Sequence, residues 1–120
     1  MGRASQAQGA SLEHEILRAL GTREGVVIWR NAVARATLRS GAQVLTGLGG
    51  EGAPDFLLEV RDSRGLWRAL WVESKCGESA RLSRGQRQWH EAAHAQGRHV
   101  VLARSVGDVV AAVDEIQGGE

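Results

Sequence analysis

Apolar residues recur at helical spacing after Ser11, at Leu12, Ile16, Leu17 and Leu20, and Gly21 ends the run. This pattern predicts an amphipathic helix with Ser11 as its N-cap. Residues 1–10 are small and polar and read as a disordered tail. Val26–Trp29 is a short apolar run that fits a strand, and Ala42–Leu48 reads as another. Between them, Asn31–Ser40 fits either a helix or an irregular arm. The clearest strands are Phe56–Val60 and Leu66–Val72, which flank the turn sequence Arg61-Asp62-Ser63-Arg64-Gly65. Ser83 opens a helix to about Gln96 that stops at Gly97, Val100–Ala103 is a strand, and Ser105 caps a last helix reaching Ile116. The order is a helix, several strands, then α-β-α. It predicts an α/β sandwich on a mixed sheet, as one domain over 11–116 with a C-terminal tail at 117–120.

Composition adds limits. The chain has 120 residues, 42% hydrophobic and 24% charged, ordinary values for one domain with a modest core. A net charge of +1 means that any polyanion site must come from local clustering of arginine. Cys76 is the single cysteine, so an internal disulfide is excluded, and it reads as an inert thiol. No leader-like segment opens the chain, and no apolar run approaches the ~20 residues of a membrane helix. The expectation is a soluble cytoplasmic protein without membrane contact.

Of the 15 basic side chains only one is lysine, Lys75, in Trp71-Val72-Glu73-Ser74-Lys75. In an arginine-rich background, such a residue suggests a place for a compact ammonium that a flat guanidinium cannot fill. If Phe56–Val72 is a hairpin centred near Arg64, facing residues have numbers summing to about 128, which sets Asp55 opposite Glu73. The two-residue period puts Trp67, Ala69, Trp71, Glu73 and Lys75 on one face. Asp55, Glu73 and Lys75 then converge at one end of the hairpin. Two adjacent carboxylates repel unless a cation neutralises them, and a hard divalent ion such as Mg²⁺ takes such oxygen ligands. That constellation suits phosphodiester hydrolysis.

The segments Gly49-Gly50-Glu51-Gly52-Ala53-Pro54-Asp55, Glu73-Ser74-Lys75 and Leu82-Ser83-Arg84-Gly85-Gln86-Arg87-Gln88-Trp89 stand in that order. Together they resemble the VRR-NUC branch of the PD-(D/E)XK nucleases. The resemblance covers about residues 11–116 and looks like a stand-alone, phage-type domain in a bacterial cell or phage-infected host. It implies a restriction-endonuclease-like core, a central mixed β-sheet flanked by helices. It further implies Asp55, Glu73 and the Ser74 carbonyl as ligands of Mg²⁺, with Mn²⁺ as a substitute, and Lys75 at the attacking water. A first-helix carboxylate completes such sites. Glu15, preceding Ile16-Leu17, is preferred and Glu13 is the fallback. Ser83-x-x-Gln86 fits a capping box, and the resemblance also puts Gln86 near the metal. Relatives often carry Arg-Asn-Asn and a glycine where this chain reads Arg30-Asn31-Ala32-Val33. The implied activity is DNA endonuclease action, structure-selective on branched DNA such as four-way (Holliday) junctions, by a homodimer.

Arg30, Asn31, Arg35 and Arg39 before the Glu-x-Lys motif, and Arg81, Arg84, Arg87 and Arg98 after it, could form a cationic rim for phosphates. A different class is a catalytically silent nucleic-acid-binding module on the same fold. His90-Glu91-Ala92-Ala93-His94 matches the zinc-protease signature H-E-x-x-H, a remote third reading that lacks a third ligand. An exposed cationic stripe with Ser83 and Arg87 is preferred for that helix face. Gly47–Gly52 matches G-x-G-x-x-G, yet Pro54 and a strand follow instead of a helix, so a dinucleotide site is rejected. These glycines instead let the chain bend into the site or a phosphate approach it. Trp29, Trp67, Trp71 and Trp89 are expected in the core or an interface, and Glu59 and Glu78 in solvent.

Overall fold

Alternating burial along two strands decides how the layers stack. The computed structural model describes residues 2–77 and 80–118, with side chains described from residue 11 onward. In β4 (Phe56–Arg61), Phe56, Leu58 and Val60 are fully buried while Leu57 and Glu59 are partly open. Their partners in β5 (Trp67–Ser74) follow the expected register, Phe56 opposite Val72 and Leu58 opposite Leu70. β1 (Val26–Arg30) pairs antiparallel with β4 on its other side. β6 (His99–Ala103) pairs in parallel with β5. The sheet order is therefore β1-β4-β5-β6, a mixed sheet.

Helices α1 (Gly2–Leu20) and α3 (Val106–Gly118) cover one face of this sheet. Leu12, Ile16 and Leu20 from α1, and Val109 and Val113 from α3, close the core over Phe56, Leu58, Val60 and Val72. Arg23 ties the two helices by bonding Asp114 and Gln117, and Gln117 returns a bond to Glu24 O (2.9 Å). The third helix, α2 (Arg84–Ala95), links β5 to β6 as a crossover and packs near β6. Of the face turned away from α1 and α3, Trp71 and Glu73 are buried, while Trp67 and Ala69 remain exposed. The architecture is an α/β fold with a mixed central sheet flanked by helices. No helix among the described residues is long and apolar enough to cross a membrane.

Several expected boundaries move. α1 begins at Gly2, so Ser11 lies inside the helix and caps nothing. Alanine and glutamine in residues 2–10 favour helix without any apolar stripe to announce it. The ambiguous 31–40 stretch yields a strand, β2 (Ala34–Thr37), paired with β3 (Gln43–Thr46) in a separate two-stranded hairpin. β5 continues past Val72 through Ser74, because β6 pairs with Glu73 and Ser74 and then Ala103 O accepts Lys75 N–H (2.9 Å). At the C-terminus, Gln117 and Gly118 are helical rather than tail. The tryptophans divide. Trp71 is buried, whereas Trp29 and Trp67 are each 51% exposed. Glu78 lies outside the described residues.

Candidate active site

The register that sets Phe56 opposite Val72 brings Asp55 opposite Glu73, one rung further along. The backbone confirms the pairing, since Asp55 N–H donates to Glu73 Oε2 (3.1 Å). Asp55 Oδ2 in turn accepts from Ser74 N–H (3.0 Å) and Ser74 Oγ (2.8 Å). The two carboxylates thus hold each other's strand ends, and their side chains are neighbours. Glu73 is only 1% exposed. Burial first, then the charge and contact of Asp55, raises its pKa from 4.5 to about 8, with Lys75 offsetting part of the rise. At neutral pH most of Glu73 therefore holds a proton.

α2 supplies the cover. Its N-cap is Ser83, whose side chain accepts Gln86 N–H (3.2 Å) while Gln86 Oε1 accepts Ser83 N–H (2.9 Å), a complete capping box. That box fixes Gln86 so that its Nε2 donates to Glu73 Oε1. The structural and the site role expected of Gln86 are therefore met by opposite ends of one amide. Loop 47–52 closes the flank. Gly52 has φ +85° and sits so near α2 that a Cβ there would lie 2.5 Å from Gly85 O. The glycine-rich loop thus serves close backbone packing. Trp89 adds a bond from Nε1 to Gly49 O (2.7 Å) and an edge contact with Trp71, ring centroids 5.0 Å apart.

His90 departs from the expected exposed stripe. It is 7% exposed, four residues after Gln86 on the same inward side of α2, while Glu91 and His94 face solvent. Its Nε2 is buried without a hydrogen-bond partner. Burial, with the charges of His94 and Lys75 added, pushes its pKa below the ordinary imidazole range. A neutral ring thus lies within electrostatic reach of Lys75. The stripe failed as an expectation because α2 turns its Gln86-His90-Ala93 edge toward the sheet, a spacing that was legible but unread.

Other site expectations sort by geometry. Of the two first-helix carboxylates, Glu15 is exposed on the outer face of α1. Glu13 instead receives Arg30 Nη2 at 2.5 Å, at the β1 end beside Asp55. Helical periodicity explains the difference in exposure, since Glu13 and Leu17 flank the buried Leu12-Ile16-Leu20 stripe and Glu15 does not. Asn31 is 8% exposed and fully engaged. Its Nδ2 donates to Leu48 O and Pro54 O (2.9 Å each), and its Oδ1 accepts Leu48 N–H (2.7 Å). It is a clasp on the site loop, with no donor left for nucleic acid. Arg35, Arg81, Arg84 and Arg87 are all exposed, and Arg35 pairs with Glu51 (2.9 Å). Arg104, which no motif indicated, donates to Gly77 O (2.5 Å) and Ala80 O (2.8 Å) and so braces the chain after Lys75.

Asp55, Glu73 and the Ser74 carbonyl offer hard oxygen donors, the kind a divalent cation takes. Among the described residues no group of three or more His, Cys, Asp or Glu side chains could hold a metal ion, so two carboxylates are the acidic complement. A separate cleft of about 690 Å³ lies at the far end of the sheet, lined by Asp62, Arg64, Arg68, His94, Arg98 and Glu115 among others. Its charges are mixed, and it has no share in the carboxylate pair. Comparison of the chain with protein-family models, with curated proteins and with solved structures gives no match.

Proposed function

We propose that this chain is a metal-dependent DNA endonuclease of the VRR-NUC type, with a PD-(D/E)XK core, that hydrolyses phosphodiester bonds in branched DNA such as four-way junctions as a homodimer. The observation that carries the reading is the Asp55–Glu73 pair on facing rungs, Glu73 buried and Asp55 partly open, with Lys75 close enough to bias Glu73 and Gln86 bonded to it. A carboxylate held mostly protonated by burial and a like charge is one that a divalent cation would ionise, so the residues fit such a group. Asp55, Glu73 and the Ser74 carbonyl would hold Mg²⁺ or Mn²⁺. When bound, the ion supplies Lewis acidity and lowers the pKa of an attacking water.

The remaining work falls to the chain itself. Lys75 lies just past the end of β5, two residues after Glu73 and close enough for its charge to act on it, so its ammonium would stabilise charge that develops on the phosphoryl oxygens. Gln86 fixes the Glu73 carboxylate through a bond that leaves its acidity to the neighbours. Ser74 pins Asp55 from both its N–H and its hydroxyl, which holds that carboxylate in place. Glu13, held by Arg30 at the end of β1, is better placed than the outward-facing Glu15 to serve as a first-helix carboxylate, although it does not group with the pair.

A second reading, a nucleic-acid-binding module without catalysis, is favoured by one observation: among the described residues no third Asp, Glu, His or Cys side chain groups with the pair. Incubating flap, splayed and four-way-junction DNA with Mg²⁺ separates the two. Lys75→Ala should cut at least about 100-fold more slowly than wild type, the usual loss when a charge-stabilising donor is removed. DNA that stays intact with wild type on every substrate, in Mg²⁺ and in Mn²⁺, rules the nuclease out.

A further inference from the structure

Beyond the carboxylate site, the β2–β3 hairpin packs on no other helix or strand among the described residues. It pairs with none of the other strands and makes its strand contacts within itself. Most of its residues are exposed, including Val44, Leu45 and the neighbouring Leu38 and Leu48. A lone two-stranded ribbon is marginal in water, so an ordered one calls for an anchor and a use.

The anchor is visible. Asn31 bonds both the N–H and the carbonyl of Leu48, clasping the two legs where they leave the body. The same side chain bonds Pro54 O, the residue before Asp55. Gly47 tightens the base further, since a Cβ there would lie 2.8 Å from Ala32 O. The ribbon therefore projects from a rigid root beside the carboxylate pair.

Charge identifies the occupant. From Gly25 to Gly50 the chain has no acidic residue; of the arginines within it, Arg30 pairs with Glu13 and Arg35 with Glu51, and Arg39 carries its charge to the tip of the ribbon. Arg39 sits in the exposed turn joining the two strands, between Leu38 and Ser40. The faces of the ribbon differ as well. Arg35, Thr37, Gln43 and Leu45 share one side, with Thr37 opposite Gln43 and Leu45 opposite Arg35, while Ala34, Ala36, Val44 and Thr46 make the other side small and smooth. Polar side chains in a row at ribbon spacing can meet base edges and phosphates, and a two-stranded ribbon fits the roughly 12 Å major groove.

We infer that the β2–β3 hairpin is a DNA-binding arm that enters the groove of the duplex beside the carboxylate site, with Arg39 on a phosphate and Gln43 facing base edges. This rests on the proposed nuclease reading for the nature of its substrate. The arm would hold one branch of the DNA while the carboxylates address a phosphate next to it.

The test is the affinity of labelled duplex and four-way-junction DNA, read by fluorescence anisotropy with Ca²⁺ in place of Mg²⁺ across a salt series. Arg39→Ala should weaken binding about tenfold at low salt and lower the slope of log K against log salt by about 1. Gln43→Ala should weaken it about fivefold with the slope unchanged, because an amide releases no counterion. Both positions are exposed, and thermal melts of the variants verify that the fold is kept. Wild-type affinity and slope in both variants overturn the arm. So does loss of self-association in either variant with DNA affinity retained, which would make the hairpin a contact with a second copy. Hydrolysis of bis(p-nitrophenyl) phosphate by wild type separates the two layers of the argument. Turnover of that small ester with arm-independent DNA binding removes the arm alone. Arm-dependent binding without any hydrolysis removes the nuclease and leaves the arm standing.

Discussion

The β4–β5 hairpin carries an acidic group at each end, and the two ends treat it in opposite ways. At the turn, Asp62 accepts the N–H groups of Arg64 and Leu66 (2.9 Å each) and Arg68 Nε (2.9 Å). The bond from Arg68, then that from Leu66, holds its pKa below the usual carboxylate value. At the open end, Glu73 is buried next to another carboxylate and rises to about 8. The same pair of strands thus uses one acid to fasten itself and holds the other at a cost. A fold keeps such an uncompensated group where it serves something other than stability, and perturbed acids gather at functional sites.

The contrast is broken most severely at Glu73. Glu73→Gln should lower DNA cleavage by about 100-fold or more, since the pair loses a charge. Without metal it should also stabilise the chain. The sign follows from linkage: a carboxyl whose folded pKa lies above its unfolded one favours the fold at low pH, and this contribution is lost as pH climbs from about 4.5 through about 8. In EDTA the wild-type melting temperature should therefore fall over that window, by an amount on the order of 5 °C. The glutamine variant should lose most of the slope. Adding Mg²⁺ should restore wild type more at pH 8 than at pH 5, because cation and proton compete for one carboxylate. A variant with the wild-type slope would place the strain elsewhere.

How much of this could be read from the sequence depends on the range of the signal. The hairpin register was legible because two alternating runs flank a short turn, and Asp55 opposite Glu73 follows from counting. The Ser83–Gln86 box was legible because a cap is local. The bond from Gln86 to Glu73 was not, since it depends on how α2 crosses the sheet. His90 and Glu13 were misjudged for a related reason. Each lies on the flank of a buried stripe, where periodicity gives a direction but not what occupies it. Asn31 was read as a surface contact because a buried amide with three backbone partners looks, in one dimension, like any polar loop residue. Arg104 had no local signal. Its two carbonyl partners lie beyond β5, and only the parallel pairing of β6 brings them near.

Asn31 offers the next sharpening, since it belongs to the functional end yet works as Asp62 does, by meeting backbone groups. Removing its amide takes a partner from Pro54 O, which is buried, and from Leu48 N–H and O, which are part-buried. Asn31→Ala should cost about 3 kcal/mol, read as a shift in a urea denaturation midpoint. Asn31→Asp should fare no better, because a carboxylate cannot donate to two carbonyls. If both variants melted like wild type, the clasp would be ornamental, and the rigid root of the hairpin arm would lose its support.

The smallest expected effect is at the turn, and it completes the comparison because its pH sense is reversed. Asp62 has a lowered folded pKa, so its contribution is present above the unfolded value of 3.8 and fades as pH falls through the folded one. Asp62→Ala should leave DNA cleavage within about twofold of wild type, as expected for a group at the turn, remote from the chemistry. Its loss of thermal stability should be visible near pH 7 and shrink toward pH 3, the opposite trend to Glu73→Gln. Carrying both substitutions in one chain should give the sum of the two pH profiles, because the sites sit at opposite ends of the hairpin and share no partner. Profiles that failed to add would mean that β4 and β5 transmit charge or strain along their length. The turn and the carboxylate pair would then be one device, and the contrast between a fastening end and a working end would fail.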